Sequence, residues 1–266
     1  MEWKFATFNV NGIRARLPIV LQWLKDHEPH VLCMQEIKSQ EKNFPLAAFQ
    51  EAGYVVSLRG QKSFNGVAIA CRTQPEEILY RLDGEDSEEE ARFMAAKVDG
   101  VWVVNTYVPQ GRSPDHPAFQ FKLAFLARLK RWLQEKFQPD SPLVWAGDIN
   151  VAPAAMDVFD PQRMEGEVGF HPDERTALEH VKAWGLVDLY RKHHPFEKQF
   201  TFWDYRLPMS FKRNLGWRLD HIWVTAPLAK ASVDCSVDTQ PRGLDKPSDH
   251  TPVWAVFNLS HLRSGE

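Results

Sequence analysis

The 266-residue sequence has few cysteines and no long hydrophobic run. The three cysteines are too few for a disulfide framework, and their number is odd, so they cannot all pair. They are Cys33, Cys71 and Cys235. Cys33 and Cys71 lie inside apolar runs, so we interpret them as buried thiols in a reducing compartment. No apolar stretch approaches the roughly 20 residues of a membrane-spanning helix, and the first residues lack a signal-peptide pattern. These absences predict a cytoplasmic protein with no membrane partner.

Several common catalytic motifs are also missing. The sequence has no CxxC or HExxH motif and no Cys/His cluster, which argues against a zinc site, and no G-x-x-x-x-G-K-[ST] loop, which excludes a P-loop nucleotide hydrolase. The formal net charge of −3 argues mildly against a nucleic-acid partner. However, residues 84–90 concentrate negative charge, while basic residues cluster at Arg14 and Arg16, within residues 122–131 and within residues 212–218. The global sum can therefore conceal a positive face.

The sequence does contain many short apolar runs of strand type and two longer helical patterns. Residues 117–137 show apolar side chains at helical spacing, with Lys122 and other basic residues mostly off that face. Residues 174–184 form a second amphipathic pattern, and Pro18 is interpreted as the first turn of another helix. Asp99-Gly100 predicts the turn of a hairpin.

Neither a linker nor a low-complexity tract divides this pattern. We therefore predict a single domain over residues 1–266. Many short strands with two longer helices indicate a β-sandwich flanked by helices.

Polar side chains of a restricted kind stand where the apolar runs end. In residues 143–150, a buried strand of β-forming residues runs through Gly147 and is followed by Asp148 and Asn150. Carboxylates, amides, one tyrosine and one histidine recur at the other boundaries. The full set is Asn9, Asn11, Glu36, Tyr107, Asp148, Asn150, Asp220, Asp249 and His250. Strand ends that feed loops are where such enzymes place their chemistry, so these groups are candidates for one site.

The residue types in this set suit chemistry on a phosphate. Hard oxygen ligands hold Mg²⁺, which prefers one or two carboxylates together with substrate phosphate. A histidine that is hydrogen-bonded by a buried carboxylate has a fixed tautomer and is favoured as imidazolium. Amides and a tyrosine hydroxyl can hold phosphate oxygens or orient a water molecule.

Six motifs occur in order over nearly the whole chain. They are residues 8–15 (FNVNGIRA), 35–38 (QEIK), 105–111 (NTYVPQG), 147–150 (GDIN), 216–220 (GWRLD) and 248–250 (SDH). As a set they resemble the exonuclease III/AP endonuclease family of the endonuclease/exonuclease/phosphatase superfamily. Residues 201–203 and 216–220 look like the DNA-repair branch in particular. The resemblance implies an α/β fold, a four-layer α/β-sandwich of two mixed β-sheets packed face to face with helices on the outside.

The resemblance also implies roles for the polar set. Glu36 would be the main ligand of Mg²⁺, for which Mn²⁺ is a substitute, with Asn11 and Asp249 nearby. Asn11 departs from family members that carry aspartate at this position, which puts its part in metal binding in question.

The remaining members of the set would act on water and phosphate. Asp148 would accept a proton from the attacking water or orient it, and Asn9 would orient Asp148. His250, paired with Asp220, would bind the scissile phosphate as imidazolium. Tyr107 and Asn150 would hold the phosphate and stabilise the charge of the transition state. His221 is interpreted as structural.

Substrate contacts are implied for a further group of residues. Phe202, Trp217 and Leu219 resemble a pocket for an extruded baseless sugar, since flipping a nucleotide without a base is comparatively cheap; the alternative is that they are core residues. Arg112 and Arg206 lie on loops from which relatives insert side chains into DNA. Arg14, Lys38 and Lys62 are candidates for phosphate contacts, although exposed basic residues are often only solubilising.

These expectations describe a monomeric, Mg²⁺-dependent phosphodiesterase that cuts double-stranded DNA 5′ to an abasic site and cleans or resects blocked 3′ ends. Two alternatives stay open. One is a superfamily phosphatase or phosphodiesterase that acts on a non-DNA phosphate ester, and the other is a non-catalytic nucleic-acid-binding module.

Overall fold

Two β-sheets form the centre of the molecule. The computed structural model describes residues 2–82 and 90–261, so most of the acidic stretch at 84–90 lies outside the described residues. The strands are β1 (Glu2–Asn9), β2 (Val31–Gln35), β3 (Val55–Arg59), β4 (Val67–Cys71), β5 (Glu77–Leu79), β6 (Phe93–Val98), β7 (Val101–Tyr107), β8 (Leu143–Asp148), β9 (Leu186–Asp188), β10 (Asp220–Thr225), β11 (Ser232–Val237) and β12 (Val253–Asn258).

Helices connect the strands and cover the sheets. The α-helices are α1 (Ile13–His27), α2 (Leu46–Glu51), α3 (Pro117–Lys136), α4 (Pro161–Met164), α5 (Pro172–Lys182), α6 (Leu189–His193) and α7 (Ala226–Ala231). Short 3₁₀ helices occur at Glu41–Asn43, Ala155–Asp157, Gln240–Gly243 and Leu259–His261. None of the helices in the described ranges combines the length and apolar character that crossing a membrane requires.

Each sheet has six strands and a mixed direction. The first sheet has the order β11-β12-β1-β2-β4-β3, and the second has the order β5-β6-β7-β8-β10-β9. β1 and β2 are parallel, as are β7 and β8, whereas the other strand pairs are antiparallel. The two sheets pack face to face over one apolar cluster, with α1 and α2 outside the first and α3 and α5 outside the second. The predicted four-layer α/β-sandwich is confirmed.

The alternation of side chains along the strands explains the layers. Successive residues of a strand point to opposite faces. In β1, Trp3 and Phe5 face the second sheet, whereas Ala6 and Phe8 face the helices, and all four are buried. Strands of this kind have no solvent face, so they are apolar nearly throughout.

The start of α1 differs from the prediction. The helix begins at Ile13, and Pro18 lies inside it. The first amides of the helix are bonded across to the segment after β2, Gly12 N to Glu36 O at 2.7 Å and Ile13 N to Ile37 O at 3.1 Å. Tertiary pairing therefore fixes where this helix starts, and it also fixes the backbone at Glu36. The hairpin predicted at Asp99-Gly100 joins β6 to β7.

A buried amide connects the two sheets close to the end where the polar set lies. Asn105 of β7 donates through Nδ2 to the carbonyl oxygens of Met34 at 3.1 Å and Ala68 at 2.9 Å, both in the first sheet. Its Oδ1 accepts from Gln35 Nε2 at 2.7 Å, and the same Nε2 donates to Thr7 Oγ1 at 2.9 Å. Asn105, Gln35 and Thr7 are fully buried, so these bonds fix the register of one sheet on the other.

We expect Asn105→Leu to lower the free energy of unfolding by about 3 kcal/mol, because buried partners that lose a hydrogen bond cost about 1–3 kcal/mol each. Urea unfolding measures the change. Gln22→Leu, on the exposed face of α1, is the control and should change stability by about 0.5 kcal/mol or less. A loss below about 1 kcal/mol for Asn105→Leu would show that these bonds do not hold the sheets in register.

Candidate active site

Strand direction explains why distant polar residues meet. Asn9 ends β1 and Glu36 follows β2, and these two strands are parallel neighbours. Tyr107 and Asp148 end the parallel strands β7 and β8, where they are register partners. Asp220 begins β10, which is antiparallel to β8, and it lies opposite Asp148. The five groups therefore collect at one end of the sandwich.

Asn9 lies at the centre of this group and is fully buried. Its Nδ2 donates to Glu36 Oε1 and to Asp148 Oδ2, each at 2.8 Å. Its Oδ1 accepts from the backbone N–H of Asn11 at 3.0 Å. Because a primary amide has two N–H bonds, Asn9 can satisfy both carboxylates at once and hold them at a fixed separation.

A histidine lies between two buried carboxylates. His250 Nδ1 is 2.8 Å from Asp220 Oδ2, and His250 Nε2 is 3.7 Å from Asp148 Oδ2. Burial alone would lower the pKa of His250, but the charges of Asp220 and Asp148 outweigh burial and raise it. Burial raises the pKa of Asp148, and His250 opposes that change. The arrangement favours an imidazolium whose Nε2–H points toward Asp148.

The residues expected to hold a metal form one hydrogen-bonded chain. Asn11 Nδ2 donates to Asp249 Oδ1 at 2.8 Å, and Lys38 Nζ contacts Glu36 Oε2 at 2.8 Å and also donates to Asn11 Oδ1. Burial tends to raise the pKa of Glu36, but Lys38 and Asn9 outweigh it and lower the pKa. Glu36 is therefore an ionised carboxylate that is available to a cation.

The donor atoms fit a hard divalent cation. Glu36, Asp148 and His250 each place a ligand-type atom within 4.8 Å of the others. His250 is a poor ligand here, because the imidazolium form has no free lone pair. The carboxylate oxygens of Glu36 and Asp148 are the remaining donors of this group, and oxygen-only sets suit Mg²⁺ better than softer metals. Asn11 and Asp249, which were also expected near the metal, are connected to Glu36 through Lys38.

A cavity of about 490 Å³ opens beside these groups. Most of the predicted site residues line it, namely Glu36, Tyr107, Arg112, Asp148, Asn150, Phe202, Arg206, Trp217, Leu219, Asp249 and His250. Burial raises the pKa of Tyr107 well above its usual value, with Glu36 and Asp148 adding to the rise, so its hydroxyl stays a donor. Asn150 Nδ2 donates to Val108 O at 2.9 Å, which fixes its amide at the rim.

One side of the cavity is apolar. Phe202 is bridged through its backbone to Trp217 and to His250, and its ring lies 4.8 Å from the His250 ring. Phe202 and Trp217 are only partly buried, whereas the neighbouring Trp203 is fully buried. Phe202 and Trp217 line the cavity, and they also pack against a small apolar cluster that contains Leu219, which is 6% exposed. The geometry is therefore compatible with both interpretations, pocket and core.

The basic candidates are spread around the opening. Arg112 and Arg206 are exposed, and Arg206 pairs with Asp204 Oδ2 at 2.7 Å. Arg14, at the start of α1, and Lys62 are exposed and do not line the cavity. Lys38 lies against Glu36 and Asn11. The structure thus brings the predicted acids, amides and aromatic side chains together around one cavity. Two of the predicted phosphate-binding residues, Arg14 and Lys62, do not line it.

Two cations grouped with the exposed basic clusters are buried, and this part of the prediction is wrong. Arg218 is 1% exposed and pairs with Asp157 Oδ1 and Asp188 Oδ2, each at 2.7 Å. Lys122 is fully buried and pairs with Glu174. For Lys122 the sequence carried a signal, because position 122 falls on the apolar stripe of α3 at helical spacing from buried Phe119.

Comparison with known proteins identifies the family. The sequence profile of the Endonuclease/Exonuclease/phosphatase family matches residues 6–250. The chain belongs to this family. Among curated members, exodeoxyribonuclease III of Haemophilus influenzae is 34% identical over 96% of this chain and 99% of its own length. The resemblance to exonuclease III and the AP endonucleases that six motifs indicated is confirmed.

Solved structures of the family superpose closely. An AP endonuclease from Archaeoglobus fulgidus is 48% identical with a TM-score of 0.92, covering 96% of this chain and 99% of that chain. A 3′ phosphatase from Neisseria, bound to a product DNA hairpin, is 37% identical with a TM-score of 0.93 and the same coverage of 96% and 99%.

His221 has contacts of a structural kind and is 1% exposed. Its Nδ1 lies 3.0 Å from Arg218 Nη1 and its Nε2 lies 3.0 Å from Val151 O. A guanidinium can only donate, so Nδ1 accepts and Nε2–H donates, and the ring must be neutral. Burial, followed by the charge of Arg218, lowers the pKa of His221 to about 4.

This neutral histidine predicts a sensitivity to acid. Its stabilising contribution is complete above the unfolded pKa of 6.5 and is lost as pH falls toward the folded pKa of about 4. Between pH 7.5 and pH 5, His221→Gln should lose about 2 kcal/mol less unfolding free energy than the parent. Urea unfolding at the two pH values measures this, and equal losses in both proteins would contradict it.

Proposed function

We propose that the protein is a DNA-repair phosphodiesterase that depends on Mg²⁺ and hydrolyses the backbone of double-stranded DNA 5′ to an abasic site. 3′–5′ exonuclease and 3′-end-cleaning activities would use the same site. One observation carries the proposal: Asp148, His250 and Glu36 gather in the lining of a cavity of about 490 Å³ that Phe202 and Trp217 also line. The similarity to an AP endonuclease and to a DNA-bound 3′ phosphatase supports it.

Glu36, Asp249 and the Asn11 carbonyl would hold Mg²⁺, or Mn²⁺ in its place. When bound, the ion supplies positive charge that neutralises the phosphate and the leaving oxygen. The residues themselves provide the remaining chemistry. Asp148 keeps both carboxylate oxygens fixed, since Oδ2 accepts from Asn9 and Oδ1 accepts from Asn150 N at 3.0 Å. It is thereby placed to orient the attacking water and accept its proton.

The phosphate would be held by the hydrogen-bond donors that line the same cavity. The imidazolium Nε2–H of His250 would contact a non-bridging oxygen, and Asp220 keeps the ring charged and oriented. The Tyr107 hydroxyl and the second N–H of Asn150 would share the remaining charge. Attack at phosphorus would break its bond to the O3′ of the preceding nucleotide, leaving a 3′ hydroxyl and a 5′-phosphorylated baseless sugar.

Specificity would come from the apolar wall. A sugar without a base has no stacking or pairing to lose, so its extrusion costs less than that of a normal nucleotide. Phe202, Trp217 and Leu219 offer such a sugar an apolar surface beside the phosphate site. Arg112 and Arg206 are exposed and line the cavity, so they would contact the flanking duplex, and Arg14 and Lys38 would contact phosphates.

The decisive test is a duplex with one synthetic abasic site, incubated with Mg²⁺ or with chelator, beside an undamaged duplex with a recessed 3′ end. We expect Mg²⁺-dependent incision 5′ to the lesion. Asp148→Asn should reduce kcat by about 10²- to 10⁴-fold, because it removes the proton acceptor. Asp26→Asn, on the exposed face of α1, is the matched control and should retain activity.

Three results would count against the proposal. Absence of incision at the lesion would refute it. Hydrolysis of a soluble phosphate ester without action on DNA would favour a superfamily phosphatase. Unchanged chemistry in Asp148→Asn would mean that the activity does not arise at this site, and would favour a non-catalytic binding module.

The proposed metal ligands predict the effect of introducing aspartate at position 11. Asn11→Asp adds a carboxylate beside Asp249 and removes the amide that now donates to it. We expect Mn²⁺ to bind about tenfold more tightly by calorimetry without DNA, since ligand charge sets the affinity of such sites. Gln138→Glu adds the same charge just after α3, at the opposite end of β8, and should leave affinity unchanged. Unaltered affinity in Asn11→Asp would exclude position 11 from the metal site.

A further inference from the structure

Lys122 has no part in the chemistry described above, yet its ammonium lies directly behind the cavity. Its Nζ donates to Asn150 O at 2.7 Å and to Gln110 O at 3.3 Å, and it pairs with Glu174. The side chain is fully buried in α3. Burial lowers the pKa of Lys122, and Glu174 opposes the change. All three partners lie outside α3, so this lysine connects separate segments rather than stabilising its own helix.

Glu174 extends the connection to another segment. Its Oε2 accepts from the backbone N–H of Gly169 at 2.7 Å and of His171 at 3.1 Å. Glu174 is fully buried and lies in the first turn of α5. The lysine and this glutamate therefore tie together the segment after β7, the segment after β8 and residues 168–171.

Each tied segment contributes to the same wall of the cavity. Gln110, Asn150, Val168 and Gly169 all line it, and so does Trp217. A methyl group placed on Gly169 would lie 3.3 Å from Trp217 Cζ3, so this segment is packed closely against the Trp217 ring. Asn150 is held with φ of 55°, a left-handed conformation that needs support from its surroundings.

We propose that the Lys122–Glu174 ion pair is a positioning device that sets the width of the pocket beside Trp217, and so its selectivity for a baseless sugar over a nucleotide that carries a base. The inference rests on the proposed function. Without the lysine, Asn150 and Gln110 lose a common donor. The Val168–Gly169 segment then keeps a direct backbone bond to the segment after β8, from Ala152 N to Gly169 O at 2.7 Å. A wall free to move outward would admit a base and would hold the Asn150 amide less well.

The test compares two substrates in the full-length protein. Lys122→Met removes the donor, while Glu174 keeps two backbone N–H partners at the start of α5. For each variant, kcat/KM is measured on the abasic duplex and on the undamaged duplex with a recessed 3′ end. We expect the ratio of abasic incision to exonuclease activity to fall about tenfold or more, with KM for the abasic duplex rising.

Controls separate the inference from loss of stability and from failure of the proposed function. Leu228→Ala, at a buried position of α7 after the far end of β10, lowers stability without touching the wall and should keep the ratio. The double variant Lys122→Met/Glu174→Gln leaves no unpaired buried charge, and it replaces Lys122→Met in the assay if that single variant does not fold. A ratio within about twofold of the parent in folded variants overturns the inference. A parent protein that does not incise the abasic duplex overturns the proposed function instead.

Discussion

The candidate site depends on the register between the two sheets. Asn9 and Glu36 belong to the first sheet, and Tyr107, Asp148 and Asp220 belong to the second, so a small slide would separate them. Apolar packing alone does not specify such a register, because it is non-directional. The bonds of Asn105 to Met34 O, Ala68 O and Gln35 are directional. Gln35 and Met34 lie one and two residues before Glu36, and Asn105 lies two residues before Tyr107.

Because the two sheets are held in register, several charged side chains can lie close together and away from water. Asp148 and Asp220 are each 1% exposed and His250 is 4% exposed. Such groups are tolerated only when paired and hydrogen-bonded, and they add little stability themselves. Two further buried ion-pair groups adjoin the lining of the cavity, since Arg218 stands between Trp217 and Leu219 and Lys122 donates to Asn150 O. Buried and paired charges therefore occur next to the polar site as well as within it.

The sequence predicted which groups gather at the candidate site better than it predicted the buried groups around them. Asp148 and Glu36 were detectable because each ends an apolar run, a local signal. Arg218 was assigned to an exposed cluster, since its partners Asp157 and Asp188 lie 61 and 30 positions away and no local pattern joins them. Lys122 was predicted to be exposed because a lysine is seldom fully buried, although its helical spacing places it on the apolar face of α3. The start of α1 depends on bonds to the segment after β2, which local rules do not contain.

The charge around the metal ligands explains why asparagine at position 11 is compatible with a cation site. Glu36, Asp148, Asp220 and Asp249 are carboxylates, and Lys38 and His250 are the cations among them. The formal charges of these six side chains sum to an excess of two negative charges, which equals the charge of one divalent ion. An aspartate at position 11 would leave a further uncompensated charge beside Asp249. Asparagine keeps an oxygen donor for the ion and supplies an N–H that holds Asp249 in place before the ion arrives.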